Sequence, residues 1–205
     1  NGVTLHLSLR PCLPERRVLA RRGVGENRIF LNLRTSLYEV SMDRNLELDR
    51  LLEKMVAEYL RRNGAAATLK RMLDQVGVGL TPVIDHLTLR TNDIDRRAKP
   101  FVTLGYAYDE TLEFDDWYAK VYRKDGYPAL FVDQAYQDGR GKTSIIPGWV
   151  EQFGDEHFHH VAVRVEDIEI AIERLKAQGI VFAGKVVGAQ GDQLRQIFSA
   201  PEMVG

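Results

Sequence analysis

Two histidines in this chain stand at the head of matching five-residue segments. His86 opens His86-Leu87-Thr88-Leu89-Arg90, and His160 opens His160-Val161-Ala162-Val163-Arg164. Each places an imidazole four residues before a guanidinium. Imidazole is a ligand for Fe, Ni, Zn and Mn, and a guanidinium grips a carboxylate through paired donors. If the segments are strands, alternate residues share a face. His86, Thr88 and Arg90 then point one way and Leu87 and Leu89 the other. His160, Ala162 and Arg164 likewise oppose Val161, Val163 and Val165. Arg90 would lie about 13 Å along the strand from His86, a spacing suited to a small acid held by a metal at one end and by arginine at the other.

The flanking pattern supplies the elements that must hold these groups. Asp85 to Ile94 aligns residue for residue with His159 to Ile168, and both copies reach Asp-Ile at the start of a helical pattern. The order reads strand Val83–Thr91, helix Asp93–Leu104 capped by Asn92 or Asp93, and strands Tyr106–Phe114, Trp117–Arg123 and Pro128–Gln134. Lys124-Asp125-Gly126 has hairpin chemistry. Residues 136–156 read as a loop. The order then restarts with strand His159–Val165, helix Asp167–Gln178 and strands Ile180–Val187 and Leu194–Phe198. The expected fold is α+β: two βαβββ modules forming a curved mixed sheet, a cup whose inner face carries His86 and His160. Leu48, Leu51, Leu52, Met55, Val56, Tyr59 and Leu60 form one helical stripe, and Ala66, Leu69, Met72, Leu73 and Val76 a second. Together they predict a helical hairpin before the first module.

The ends differ in character. Residues 1–41 hold seven arginines, three glutamates and neither lysine nor aspartate. They are expected either to be an extension upstream of a natural start at Met42, or to be an arm with strands around Ile29–Leu33 and Leu37–Val40. The expected divisions are 1–41 extension, 42–80 hairpin, 81–135 first module, 136–158 connection and 159–205 second module. By the repeat, the second module lacks its last strand.

Two histidines and one carboxylate would leave open positions on a metal, the arrangement of non-haem iron oxygenases. The third ligand is expected to be a carboxylate beyond Gly205, with Asp133 as a fallback. Arg90 is the expected substrate-carboxylate residue. Arg164, Lys120 and Tyr122 are candidate further substrate contacts, with an ordinary strand face the preferred reading of Lys120 and Tyr122. His157 and His159 fall on the opposite parity from His160, and a one-residue slip in register would bring His159 to the centre instead.

Composition narrows the function classes. The chain is 44% hydrophobic with a formal net charge of −1, which gives no general reason to bind nucleic acid or an anionic membrane. No apolar run approaches the ~20 residues of a membrane helix. Cys12 is the single cysteine; it excludes an internal disulfide and a cysteine-rich zinc site and fits a cytoplasmic protein.

The stretch from Ile84 to Pro201 resembles the vicinal oxygen chelate superfamily of glyoxalases, bleomycin-resistance proteins and extradiol dioxygenases. More narrowly, Asp85-His86-Leu87-Thr88-Leu89-Arg90-Thr91, Ala98-Lys99-Pro100-Phe101-Val102-Thr103-Leu104-Gly105-Tyr106 and Tyr118-Ala119-Lys120-Val121-Tyr122 resemble the 2-oxoadipate dioxygenase/decarboxylase family, also called hydroxyglutarate synthases. That resemblance implies an Fe(II) enzyme with two histidine ligands and one glutamate ligand, and an arginine that binds the substrate. The matching positions here are His86, His160 and Arg90. The implied reaction is oxidation and decarboxylation of a 2-oxo acid by O2, giving a hydroxy acid and CO2, in a monomer or homodimer. Two other functions remain open: a glyoxalase-like lyase or epimerase using Ni, Zn, Co or Mn, and a metal-free binding protein of the resistance type.

Overall fold

The computed structural model describes residues 4–6, 29–189 and 195–202, with side chains from residue 43 onward. The mixed α+β fold anticipated above is present. Helix α1 (Ile29–Arg62) and helix α2 (Gly64–Gln75) form the hairpin. The first module is β2 (Ile84–Arg90), α3 (Ile94–Thr103), β3 (Ala107–Glu113), β4 (Trp117–Arg123) and β5 (Ala129–Ala135). The second is β6 (Phe158–Arg164), α5 (Ile168–Ala177), β7 (Phe182–Val187) and β8 (Gln196–Ser199). A short helix α4 (Ile146–Phe153) joins them. With an N-terminal strand β1 (Thr4–His6), the described strands run in the order β3-β4-β5-β2-β6-β1-β8-β7.

The repeat is carried by local chemistry. Asp93 and Asp167 each cap a helix, accepting from Arg96 N at 3.0 Å and from Ile170 N at 2.8 Å. Gly105 and Gly179, just past the two helices, have φ of 103° and 86°, a conformation that favours glycine and ends a helix. The modules meet through β2 and β6, which pair antiparallel about the rung Leu87–Val161. Within the first module β5 lies between β2 and β4, parallel to β2. In the second, β1 takes the equivalent place: parallel to β6 and antiparallel to β8. The fourth strand position, which the repeat left without a following segment, is thus held by Thr4–His6.

One sheet face packs against the helices. Leu87, Leu89, Phe158 and Val161 are buried there with Leu48, Leu52 and Tyr59 of α1, Phe101 of α3 and Ile168 of α5. Each such side chain contributes about 1.5–3 kcal/mol through burial. This apolar face holds the backbone of β2 and β6 in place, leaving the other face to form the cup.

Two expectations are corrected. Residues 29–33 and 37–40 are helical, within the unbroken α1 that crosses Met42. Phe30, Leu33, Leu37 and Val40 recur at three- and four-residue spacing, the period of a helix rather than a strand. The stretch 136–156 contains a 3-10 turn at Gly139–Thr143 and helix α4. Pro147 suits the first turn of a helix, and Ile146 and Trp149 bury its inner side. The Cys12 thiol lies outside the described residues.

Candidate metal centre

The concave sheet face encloses a cavity of about 740 Å³. His86 and His160 lie on its floor, brought together because His86 pairs with Ala162 and His160 with Thr88 on the two rungs flanking Leu87–Val161. Their Nε2 atoms are 3.2 Å apart. Two imidazoles on one divalent metal, with bonds of 2.0–2.1 Å and an angle between octahedral and tetrahedral, hold their nitrogens about 2.8–3.4 Å apart. The observed separation lies in that window.

The outer nitrogens explain how the inner ones are oriented. His86 Nδ1 is 3.1 Å from Asp85 Oδ2. A carboxylate there keeps the proton on Nδ1, so the Nε2 lone pair points inward. His160 Nδ1 is 3.0 Å from His159 Nδ1, and its Nε2 is 2.9 Å from the Thr88 hydroxyl. Two lone pairs converging at this distance repel one another unless a cation or a shared proton stands between them. The donor set therefore fits a divalent metal through two imidazoles. Among the described residues no group of three His, Cys, Asp or Glu side chains is placed to complete the site.

Asp133 does not supply the third ligand here. It pairs in register with Arg90, while His86 pairs with Ala129 four residues earlier on β5, so about 13 Å of strand separates the two rungs. Asp133 instead makes a second polar centre at the far end of the cup. Burial pushes its carboxyl up to about 7, against the opposing pull of the Arg90 guanidinium. Burial also lowers the pKa of Arg90, countered by Asp133. The Nε and Nη1 atoms of Arg90 are buried without a hydrogen-bond partner among the described residues, and its guanidinium lies 5.9 Å from the Trp149 ring centre.

Arg90 lies behind Asp133 and does not itself line the cavity. Arg164 does line it and is ion-paired to Asp85. It therefore backs the carboxylate that backs His86. Lys120 and Tyr122 do not line the cup and lie on the ordinary strand face that was the preferred reading for them. On β4, Ala119 shares a rung with Asp133 on the cup face. Alternation sends Lys120 and Tyr122 to the opposite face, against α3. There Lys120 Nζ lies 2.9 Å from Asp95 Oδ1. His157 lines a separate cleft with Tyr59 of α1 and Arg97 of α3, where burial lowers its pKa.

Several cavity residues escaped sequence reasoning. Asp85 was assigned no role because strict alternation aims it at the core. The wall also carries Phe131, whose ring is 4.6 Å from His86, and Phe198, 5.7 Å from His160. Phe114 and Trp117 stack on the rim at 3.9 Å. In a sequence these rings look like ordinary strand aromatics. The signal that separates them is parity: Trp117 and Phe131 share the face of Ala119 and Asp133.

A pair of βαβββ modules, joined edge to edge over a two-histidine cup, defines a class of metal-centred fold. The chain belongs to the glyoxalase/bleomycin resistance protein/dioxygenase superfamily, whose family model matches residues 85–198, more than half its length. Among solved structures it is similar to a candidate hydrolase from Shewanella frigidimarina, at 18% identity over 69% of this chain and 78% of that one, with a TM-score of 0.58. It is also similar to a candidate glyoxalase-superfamily protein from Ralstonia eutropha, at 16% identity over 72% and 71%, with a TM-score of 0.52. At these identities the likeness is one of fold. No curated protein matches the sequence. Among the described residues no helix is long and apolar enough to cross a membrane.

Proposed function

We propose that this protein is a metal-dependent enzyme that oxidatively decarboxylates a 2-oxo acid with O2, using Fe(II) held by His86 and His160. The observation that carries this reading is the 3.2 Å convergence of the two Nε2 atoms at the floor of an open cavity. Iron bound there would supply a site for a chelating 2-oxo acid and for O2. The third ligand is a carboxylate lying outside the described residues.

The chain's own groups set the substrate. Arg90 stands two residues past Thr88, about 7 Å further along β2, behind Asp133, with its buried Nε and Nη1 unpartnered among the described residues. It takes the distal carboxylate of a short dicarboxylic 2-oxo acid such as 2-oxoadipate and so selects chain length. Phe131 and Phe198 flank the two imidazoles and shield the reacting end from water. Arg164 holds Asp85 oriented toward His86. The setting is a soluble, cytoplasmic protein acting on small molecules as a monomer or homodimer.

One observation favours a second reading, a lyase or epimerase with Ni, Zn, Co or Mn. Asp133 lines the cavity with its carboxyl at about 7, the range in which a group both gives and takes a proton efficiently. There the metal would polarise a carbonyl and Asp133 would move the proton. Oxygen uptake separates the two. With Fe(II) and 2-oxoadipate, the dioxygenase reading expects O2 consumption matched by CO2 release and abolished in His160→Ala. Metal binding without O2 consumption across a panel of 2-oxo acids contradicts it and supports the second reading.

A further inference from the structure

The β2–β6 junction has a local two-fold relationship about the Leu87–Val161 rung. His86 faces Ala162 across it, and His160 faces Thr88. One step further out on each strand the ladder slips by a residue. Ile84 pairs with Val163 and Leu89 with Phe158, which leaves Asp85 extra on β2 and His159 extra on β6. In an unbroken strand both would point away from their histidine neighbour, into the layer of Leu87 and Val161. A bulge re-aims the extra side chain. Asp85 Oδ2 accordingly reaches His86 Nδ1 at 3.1 Å, and His159 Nδ1 reaches His160 Nδ1 at 3.0 Å. The two repeats have solved one problem twice, with different residues.

From this symmetry we infer that His159 is a positioning residue for His160, the counterpart of Asp85 for His86. It accepts the Nδ1–H of His160 and so holds the Nε2 lone pair of His160 toward the shared centre. This rests on the two-histidine metal reading above. His159 is 4% exposed and its ring stands edge-on to Trp149 at 5.4 Å. When His160 ligates through Nε2 its Nδ1 carries the proton, so the 3.0 Å contact makes His159 Nδ1 the acceptor. Its own proton then sits on Nε2, which is buried without a partner among the described residues. A side chain present only to fill space would not carry that orphaned group, because phenylalanine packs there without it. A neutral acceptor also polarises its partner less than a carboxylate does. His160 is therefore the weaker donor of the two ligands.

The test is Co(II) binding, read by visible ligand-field bands and equilibrium dialysis, for wild type, His159→Phe, His159→Asn and Asp85→Asn. Removing an outer hydrogen-bond partner of a metal-bound histidine weakens metal binding by about 10–100-fold. His159→Phe is expected to lose affinity within that range while keeping a wild-type unfolding midpoint. His159→Asn, whose Oδ1 can accept in place of Nδ1, is expected to stay within a few-fold of wild type. A packing role demands the reverse order, with Phe tolerated and Asn not. In the metal-free protein, long-range ¹H–¹⁵N spectra should show His160 as the Nδ1–H tautomer, and His159→Phe should shift that population. The inference is overturned if His159→Phe binds Co(II) as wild type does, or if Phe and Asn lose affinity equally. A wild type that binds no Co(II) instead removes the metal centre, and the inference with it.

Discussion

Asp133→Asn isolates the most perturbed carboxyl of the cup. The Asp133 carboxyl is raised from an ordinary 3.8 to about 7, chiefly by burial. The folded protein therefore prefers the protonated side chain. Its favourable contribution is complete below the unfolded value near 3.8, is lost as pH rises toward 7, and changes no further above that. A shift of about 3 units at about 1.4 kcal/mol each is worth about 4 kcal/mol across this window. The amide cannot ionise, so the variant escapes the loss. The attraction of Arg90 is already contained in the value of about 7, because it pulls the carboxyl down against burial, so it adds no separate charge cost to the amide. The difference between the two proteins therefore carries the signal. Urea unfolding, followed by tryptophan fluorescence between pH 4 and 8.5, should show Asp133→Asn gaining about 4 kcal/mol relative to wild type as pH rises, with a plateau above pH 7–8. Parallel stability curves would refute the assignment of a buried, near-neutral carboxyl at this position.

Three further outcomes are expected. Leu89→Ala, at a fully buried position beneath the cup, should cost about 2–5 kcal/mol in chemical denaturation. Asn63→Ala removes the cap that accepts from Ala66 N at 2.8 Å and should cost about 1 kcal/mol by the same measurement; Glu202, whose carboxylate takes the neighbouring Gly64 and Ala65 amides, keeps that helix start from unravelling. Lys120→Ala, on the outer face against Asp95, should leave metal and 2-oxo acid binding unchanged in calorimetric titrations.

The parts of the fold legible in sequence were those whose signals repeat. His86 and His160, Asp93 and Asp167, and Gly105 and Gly179 recur at one constant separation. Each reports a distinct physical need: a cup-facing polar group, a helix cap and a left-handed helix end. Strict alternation then placed Leu87, Leu89, Val161 and Val163 in the core correctly. It failed for Asp85 and His159, because a bulge cancels the parity on which that reasoning depends. For Lys120 and Tyr122 it left two readings open. Their common face was readable, but which face of β4 looks into the cup depends on its pairing with β5. Helix α4 is short, and the glycines around it, Gly139, Gly141 and Gly154, masked the spacing of Ile146, Trp149 and Phe153. The placement of Thr4–His6 beside β6 is a pairing across most of the chain, and such contacts leave no local trace.

The most direct test of the central claim is the metal content of the purified chain after anaerobic loading with Fe(II), compared with His86→Ala and His160→Ala. One iron per chain in wild type, lost or greatly weakened in either variant, is the expected result, because the two modules share one ion. Iron retained undiminished in both variants would contradict the two-histidine centre and the function built on it.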